Sequence, residues 1–211
     1  MGDNLSIWRL ETCANEYTSI SVKSDFKYFR THFIGKPMTA DWAQPEIEIF
    51  GKSKKTADFM SWGMSVVLVS EKAKNLLEPV LGSCVEFLPF QEIKGKPYFA
   101  MNVVRVEPNL LDLNKTQAHF SIDEPKYIIA LDSAVFVDPL PTELPPIFKI
   151  EYNKKVNSEV FVTRPFVDVV VQHQLIGIEL ADPSKRAMPF ILDRKSQNVV
   201  PGIVPCAKKQ V

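Results

Sequence analysis

The sequence predicts an α+β fold with two related subdomains, each a small sheet that carries one main helix. Three observations favour this fold class. Short runs of apolar and β-branched residues, several with strand-like alternation, recur along the chain. Residues 65–89 have the pattern of a strand, a helix and a second strand. The same pattern returns after residue 159, which indicates a duplicated strand–helix–strand unit.

The first unit begins with residues 65–69 (SVVLV), an apolar run typical of a buried strand. Ser70 follows as the predicted helix N-cap, and Glu71 lies in the first turn, where the helix dipole stabilises an acid. The apolar residues that recur at helical spacing are Ala73, Leu76, Leu77 and Val80. Gly82 is predicted to end this helix before a strand at residues 84–89.

The second unit repeats this order. Residues 160–162 (VFV) have a short strand pattern, and Thr163 stands in the N-cap position that Ser70 holds in the first unit. The apolar positions of the first helix are matched by Phe166, Val169 and Val170. Residues 178–180 (IEL) then match residues 85–87 (VEF), so the pattern predicts a second helix between two strands.

A proline-rich segment separates the two units. Residues 138–147 hold four of the sixteen prolines and are predicted to link the subdomains. We therefore assign residues 1–140 to an N-terminal subdomain that includes the first unit, residues 147–193 to the second unit and residues 194–211 to an irregular tail. The predicted core consists of Val67, Leu68, Val69, Leu76, Leu77, Phe87, Phe99, Val103, Phe148, Val160, Val162, Phe166, Val170 and Leu180.

The composition predicts a soluble globular protein, because 45% of the 211 residues are apolar and 24% are charged. Twenty-five basic and 25 acidic residues leave a formal net charge of zero, which argues against a nucleic-acid or membrane partner. The apolar runs are too short to span a bilayer, and no secretory signal pattern occurs. The cysteines, Cys13, Cys84 and Cys206, are odd in number and widely spaced, so we expect reduced thiols and a cytoplasmic location.

No pattern in the sequence predicts a cofactor, a metal site or a catalytic residue. Gly51, Lys52 and Ser53 resemble the end of a phosphate-binding loop, but Glu46 stands where that loop needs its first glycine. The three histidines include no pair at the spacing of metal ligands on a helix.

Two other function classes stay open. An enzyme could assemble a site from the separated residues Glu86, Glu179 and His173, since the two carboxylates occupy matching positions of the two units. Each carboxylate is also the expected solvent-facing residue of an alternating strand. A regulatory module could instead bind a small ligand in a groove between the units, which would require a deep apolar pocket there.

Charge is distributed unevenly along the chain. Residues 105–145 carry seven acids against three bases, whereas residues 149–211 carry ten bases against six acids. An acidic face attracts a basic partner and speeds the encounter. The predicted partner-binding residues are therefore Asp112, Asp123, Glu124, Asp132 and Asp138. Trp42 and Trp62 are aromatic alternatives, although both are predicted to lie in the core.

Five segments follow one another in a distinctive order. They are GKPMTADW, KKTADFMSW, VVLVSEKAKNLLEPVLGSCVEFLP, YFAMNVVRVEPNLLDLNKT and IFKIEYNKKVNSEVFVTRPFVDVVVQHQLIGIEL. Over residues 35–182 this order resembles the bacterial family known as immunity protein eleven. The chain departs from the family pattern at Ala57, where proline is expected, and at Thr163 and Arg164. These departures are conservative for the fold.

The resemblance implies an immunity protein that binds and neutralises a cognate secreted toxin of a type VI or related polymorphic toxin system. It implies binding without catalysis and without a cofactor, in the bacterial cytoplasm. The implied partner is the toxin. Neither nucleic acid nor a membrane is an expected partner. The resemblance carries over no catalytic residue and does not identify the toxin.

Overall fold

The structure is a computed structural model that describes residues 7–13, 16–23, 32–50, 55–63, 66–122 and 126–185. These residues form a mixed α+β fold with fourteen strands and two helices. The strands are β1 (Trp8–Thr12), β2 (Ser19–Val22), β3 (Ile47–Phe50), β4 (Phe59–Ser61), β5 (Val67–Ser70), β6 (Val85–Ile93), β7 (Lys96–Val103), β8 (Val106–Pro108), β9 (Gln117–Phe120), β10 (Ile128–Ser133), β11 (Ile147–Tyr152), β12 (Lys155–Val156), β13 (Phe161–Val162) and β14 (Ile178–Ala181). The helices are α1 (Glu71–Leu81) and α2 (Arg164–Gln172).

In each predicted unit, the two strands join one sheet and the helix connects them. In the first unit, β5 and β6 flank β7, and both are antiparallel to it. In the second unit, β13 and β14 flank β1 in the same way. The sheet orders are β4-β5-β7-β6 and β12-β11-β13-β1-β14, and β8 joins the second sheet parallel to β11. The two units therefore share one local topology.

Helix α1 begins and ends where the sequence predicts. The Ser70 hydroxyl accepts a hydrogen bond from the Ala73 N–H at 3.1 Å, which satisfies a free donor of the first turn. Gly82, at φ +49°, donates its N–H to the Glu78 carbonyl oxygen and ends the helix. The apolar positions Ala73 and Leu77 are buried, as their spacing indicates.

Helix α2 begins after Thr163, as predicted, but the Thr163 side chain does not cap it. The hydroxyl instead donates a hydrogen bond to the Pro145 carbonyl oxygen at 3.0 Å. Pro165 lies in the first turn, where its missing N–H leaves no helical hydrogen bond unmade. Thr163 therefore fixes the proline-rich segment to the start of α2.

One apolar core includes buried residues of both helices and of both sheets. Since β1 lies between β13 and β14 in the second sheet, that sheet needs a strand from the residues assigned to the N-terminal subdomain. The structure therefore does not confirm two separate subdomains, and the boundaries at residues 140 and 147 stay a prediction. The predicted core residues all lie in or against the apolar clusters, although Leu76, Phe87 and Phe99 are only half buried.

The connection between α2 and β14 ties the second unit to the first sheet. Phe59 donates its N–H to the Ile176 carbonyl oxygen at 3.0 Å, and Ile176 donates its N–H to Asp58 Oδ2 at 3.1 Å. Gly177 follows with φ +105°, and a Cβ at this position would lie 2.1 Å from the Phe59 carbonyl oxygen. Any larger residue would therefore push the two sheets apart.

The cysteines differ from one another in oxidation state. Cys84 is a free thiol, as predicted, and burial raises its pKa. Cys13 is disulfide-bonded, so the predicted reduced state is wrong for that residue. Spacing along a chain does not determine which cysteines approach one another in the fold, and this explains the error. Cys206 and the predicted tail, residues 194–211, lie outside the described residues.

A buried lysine holds the segment that precedes β3. Lys149 lies in β11 with 2% of its surface exposed, and its ammonium donates a hydrogen bond to the Phe33 carbonyl oxygen at 2.7 Å. Burial lowers the pKa of Lys149 from 10.5 to about 8, because the charged form loses its hydration. The folded chain therefore binds this proton less tightly than the unfolded chain.

Replacing Lys149 by methionine should remove a pH dependence of stability. Between about pH 8 and 10.5 the unfolded wild type binds more protons than the folded form, so wild-type stability rises with pH in that window. From pH 7 to 10, the free energy of unfolding of the wild type should rise by about 2 kcal/mol relative to Lys149→Met. Urea unfolding at several pH values measures this difference.

Lys155→Met is the matched control, because Lys155 is exposed in β12. It should leave the wild-type pH profile unchanged. Parallel stability curves for the wild type and Lys149→Met over this pH range would contradict the prediction.

Candidate partner-binding surface

The five predicted partner-binding acids lie on the stretch between β8 and β11. Asp112 follows the isolated bridge between Leu111 and Phe136, Asp132 lies in β10, and Asp138 is exposed after β10. The other two, Asp123 and Glu124, lie outside the described residues. The role of all five acids in binding stays a prediction.

Asp112 stabilises a turn. One of its oxygens accepts the Asn114 N–H at 3.1 Å, and the other lies 2.9 Å from the Lys115 ammonium. The hydrogen bond from Lys115 lowers the pKa of Asp112, so the carboxylate is ionised at neutral pH. Because Lys115 balances this charge locally, Asp112 adds little net charge to the surface.

Asp132 lies on a two-stranded sheet made by β9 and β10. Its Oδ2 lies 3.1 Å from His119 Nε2 on the neighbouring strand, and both side chains are partly exposed. On the other side of this hairpin, Ile128 and Leu131 are buried in an apolar cluster that also contains Phe148 and Phe161 of the second sheet. The hairpin therefore packs one face on the core and presents the other to solvent.

A buried ion pair fixes the hairpin to the second sheet. Arg9 Nε lies 2.9 Å from Glu159 Oε2, and Arg9 has only 2% of its surface exposed. The second Glu159 oxygen accepts the Leu131 N–H of β10 at 3.1 Å. Burial raises the pKa of Glu159, although the Arg9 charge acts in the opposite direction. The pair therefore positions β10, and removing either partner would leave a buried charge uncompensated.

Sequence reasoning missed the exposed apolar residues of the hairpin. Phe120, Ile122 and Ile129 are 43%, 96% and 55% exposed. Residues 127–131 (YIIAL) form an apolar run that predicts the strand β10, whereas β9 was not predicted. The signal that could have found β9 is the alternation in residues 117–122 (QAHFSI) before the polar residues 123–126 (DEPK).

The two aromatic alternatives lie against each other. Trp62 is fully buried, as predicted, and its ring lies 6.2 Å from that of Trp42 in an edge-on contact. Trp42 is half-buried and donates its indole N–H to the Pro89 carbonyl oxygen at 2.8 Å. Both rings therefore stabilise the loop before β3 and are poor candidates for a partner surface.

Glu86 stabilises the same loop before β3. One Glu86 oxygen accepts the Thr39 hydroxyl at 2.6 Å, and the other accepts the Met38 N–H at 2.6 Å and the Asn102 side-chain amide at 2.9 Å. Partial burial alone would raise the pKa of Glu86, but these hydrogen bonds outweigh it and lower the pKa. The carboxylate is thus saturated with structural donors, which is unlike a general acid or base that must exchange a proton.

The other residues of the enzyme alternative have separate surroundings. Glu179 lies in β14 directly opposite Glu11 of β1. His173 is the C-cap of α2, and its carbonyl oxygen accepts a hydrogen bond from Lys72 at 3.4 Å. Glu86, Glu179 and His173 therefore each belong to a different local network, and no described contact joins them into one site.

A cavity of about 340 Å³ lies where the first sheet meets the loop after α2. Its lining includes Asp58, Lys72, Lys96 and Ile176. Asp58 is already engaged, because it accepts hydrogen bonds from the Ser70 hydroxyl and the Ile176 N–H. This cavity is open to solvent, so it does not supply the deep apolar pocket that a small-ligand module requires.

Neither helix in the described part of the chain has the length and hydropathy of a membrane-spanning helix. The same residues contain no cluster of three or more acidic, histidine or cysteine side chains that could hold a metal ion.

Comparison with known families assigns the chain to one of them. Residues 16–185 match the model of the immunity protein family (Imm11). The chain belongs to this family. A search of curated proteins found no match. The Imm11 match extends beyond the 35–182 resemblance at both ends, and the extension adds strand β2. An Imm11 assignment suggests a toxin-neutralising role.

Replacing Glu86 by glutamine should destabilise the Imm11 fold by about 1–2 kcal/mol, because an amide NH₂ would face donors that now meet a carboxylate oxygen. The wild type should also lose stability below about pH 4.5, as the lowered pKa of Glu86 is passed, and the variant should lack this component. Urea unfolding at pH 7 and pH 4 measures both effects.

Glu92→Gln is the control, since Glu92 is exposed on the same strand. It should unfold like the wild type at both pH values. If Glu86→Gln were as stable as Glu92→Gln, the Glu86 contacts would not support the loop.

Proposed function

We propose that this chain neutralises a cognate toxin of a type VI or related polymorphic toxin system by one-to-one binding, without catalysis, in the bacterial cytoplasm. The observation that carries the proposal is the match of residues 16–185 to an immunity protein family. The acidic stretch between β8 and β11 supports it, because a binding inhibitor needs electrostatic complementarity to its target.

The surroundings of two carboxylates, the candidate catalytic residue Glu86 and the buried Glu159, favour binding over catalysis. Glu86 has four hydrogen-bond donors from the fold itself, and Glu159 is committed to Arg9 and to the backbone of β10. A catalytic carboxylate must reach a substrate and change its protonation state. These carboxylates instead stabilise the positions of a loop and a hairpin.

Stoichiometry tests the proposal. The purified chain is titrated against the toxin encoded beside its gene, at concentrations well above the dissociation constant. Toxin activity should fall linearly and reach zero at one equivalent, because each bound chain removes one toxin molecule. Complete neutralisation by a small fraction of one equivalent, increasing with time, would show that the chain is an enzyme and would contradict the proposal.

The proposed acidic surface predicts a charge effect on the association rate. The triple variant Asp123→Asn/Glu124→Gln/Asp138→Asn removes three negative charges from this surface. Its association with the toxin at low salt should be about tenfold slower than that of the wild type, and the difference should vanish near 0.5 M salt, on the order expected for screened charges. Stopped-flow or biosensor kinetics at several salt concentrations measures it.

The matched control removes the same number of charges elsewhere. Glu48, Glu71 and Glu92 are exposed outside the acidic stretch, and replacing all three by glutamine should change the association rate much less. Equal slowing by both triple variants would show that only the net charge of the chain affects the association rate. It would contradict the assignment of partner binding to the acidic stretch.

A further inference from the structure

Exposed apolar side chains concentrate on one part of the chain. Eight large apolar residues are exposed in the described ranges, and four of them, Leu113, Phe120, Ile122 and Ile129, lie within residues 113–129. Of these, Phe120 pairs with Ile128 across the hairpin, Ile129 follows Ile128, and Ile122 lies two residues after Phe120. Phe120, Ile122 and Ile129 are named the tip patch. Single exposed apolar residues are ordinary, but a group at one end of a hairpin favours an interaction site.

The hairpin is held in place from beneath. Ile128 and Leu131 are buried, and the backbone of β10 is bound by side chains of the connection between β12 and β13. Glu159 accepts the Leu131 N–H at 3.1 Å, and the Asn157 amide donates to the Ile128 carbonyl oxygen at 3.5 Å. At the turn, Ser121 and Tyr127 exchange hydrogen bonds in both directions. A surface fixed in this way loses little conformational entropy on binding.

The edges of the hairpin differ. β10 uses its free edge for the contacts with Asn157 and Glu159, whereas β9 pairs with β10 alone in the described part of the chain. The stretch that contains the tip patch carries seven acids against three bases over residues 105–145. Asp123 and Glu124 directly follow Ile122 in the sequence, and an apolar group with acidic neighbours is complementary to an apolar site with a basic rim.

We propose that the tip patch, Phe120, Ile122 and Ile129, is the apolar anchor that docks on a basic-rimmed face of the toxin. This inference rests on the proposed function and adds the surface to it. The acids of the same stretch speed the encounter, and the tip patch supplies the contact area that slows dissociation. The two contributions therefore affect different rate constants.

The double variant Ile122→Ser/Ile129→Thr tests the inference against an inactive form of the toxin encoded beside the gene. The dissociation rate should rise at least tenfold, while the association rate and its salt dependence stay close to those of the wild type. Unfolding by urea should be nearly unchanged, because both side chains are more than half exposed. Phe120 is left in place, since its ring lies 5.7 Å from that of Tyr152 and contributes to packing.

Ile49→Thr/Ile176→Ser is the matched control, with one strand and one loop isoleucine that are 54% and 41% exposed outside the hairpin. It should bind the toxin like the wild type. If the tip-patch variant also bound like the wild type, the inference would be overturned while the proposed function stood. A wild type that did not bind the toxin would overturn both. A change from dimer to monomer in the tip-patch variant alone would identify the patch as a contact between copies of this chain and overturn the inference.

Discussion

The two helices and both sheets bury their apolar faces in one core, and the rest of the structure depends on this shared burial. The second unit cannot complete its sheet alone, because the strand between β13 and β14 is β1, from the beginning of the chain. Helices α1 and α2 bury their apolar residues in the same cluster. The sheets then meet at Gly177, where the backbone of the second unit reaches Phe59 of the first. Close contact at this point fixes the relative position of everything attached to either sheet.

Buried charges make the fold specific where apolar packing does not. Lys149 donates to the Phe33 carbonyl oxygen, and Arg9 with Glu159 holds β10. Burying such groups costs free energy, since the lowered pKa of Lys149 and the raised pKa of Glu159 both reflect lost hydration. Each group can make its hydrogen bond or ion pair in only one arrangement of the loop or hairpin that it contacts. An apolar side chain in its place would tolerate several arrangements.

Local patterns made the helical units predictable, and long-range contacts did not show in the sequence. Ser70, Gly82 and the apolar spacing of α1 act within one or two turns, so their positions predicted the helix correctly. Thr163 has the same residue type as an N-cap, but a carbonyl eighteen positions away takes its hydroxyl. Glu86 was read as a solvent-facing or catalytic residue because its donors come from a loop that is 47 and 48 residues distant. The acidic stretch was visible as composition, whereas the tip patch required the pairing of β9 with β10.

In the proposed role, different residues position the hairpin and contact the toxin. Arg9, Glu159 and Asn157 support the hairpin from its buried side, so they constrain its backbone and not its outward side chains. Ile122 and Ile129 contribute little to stability, because they are exposed. In that role, substitutions at the tip would therefore change the partner without changing the fold. An inhibitor whose contact residues were also core residues would have to trade stability for each new specificity.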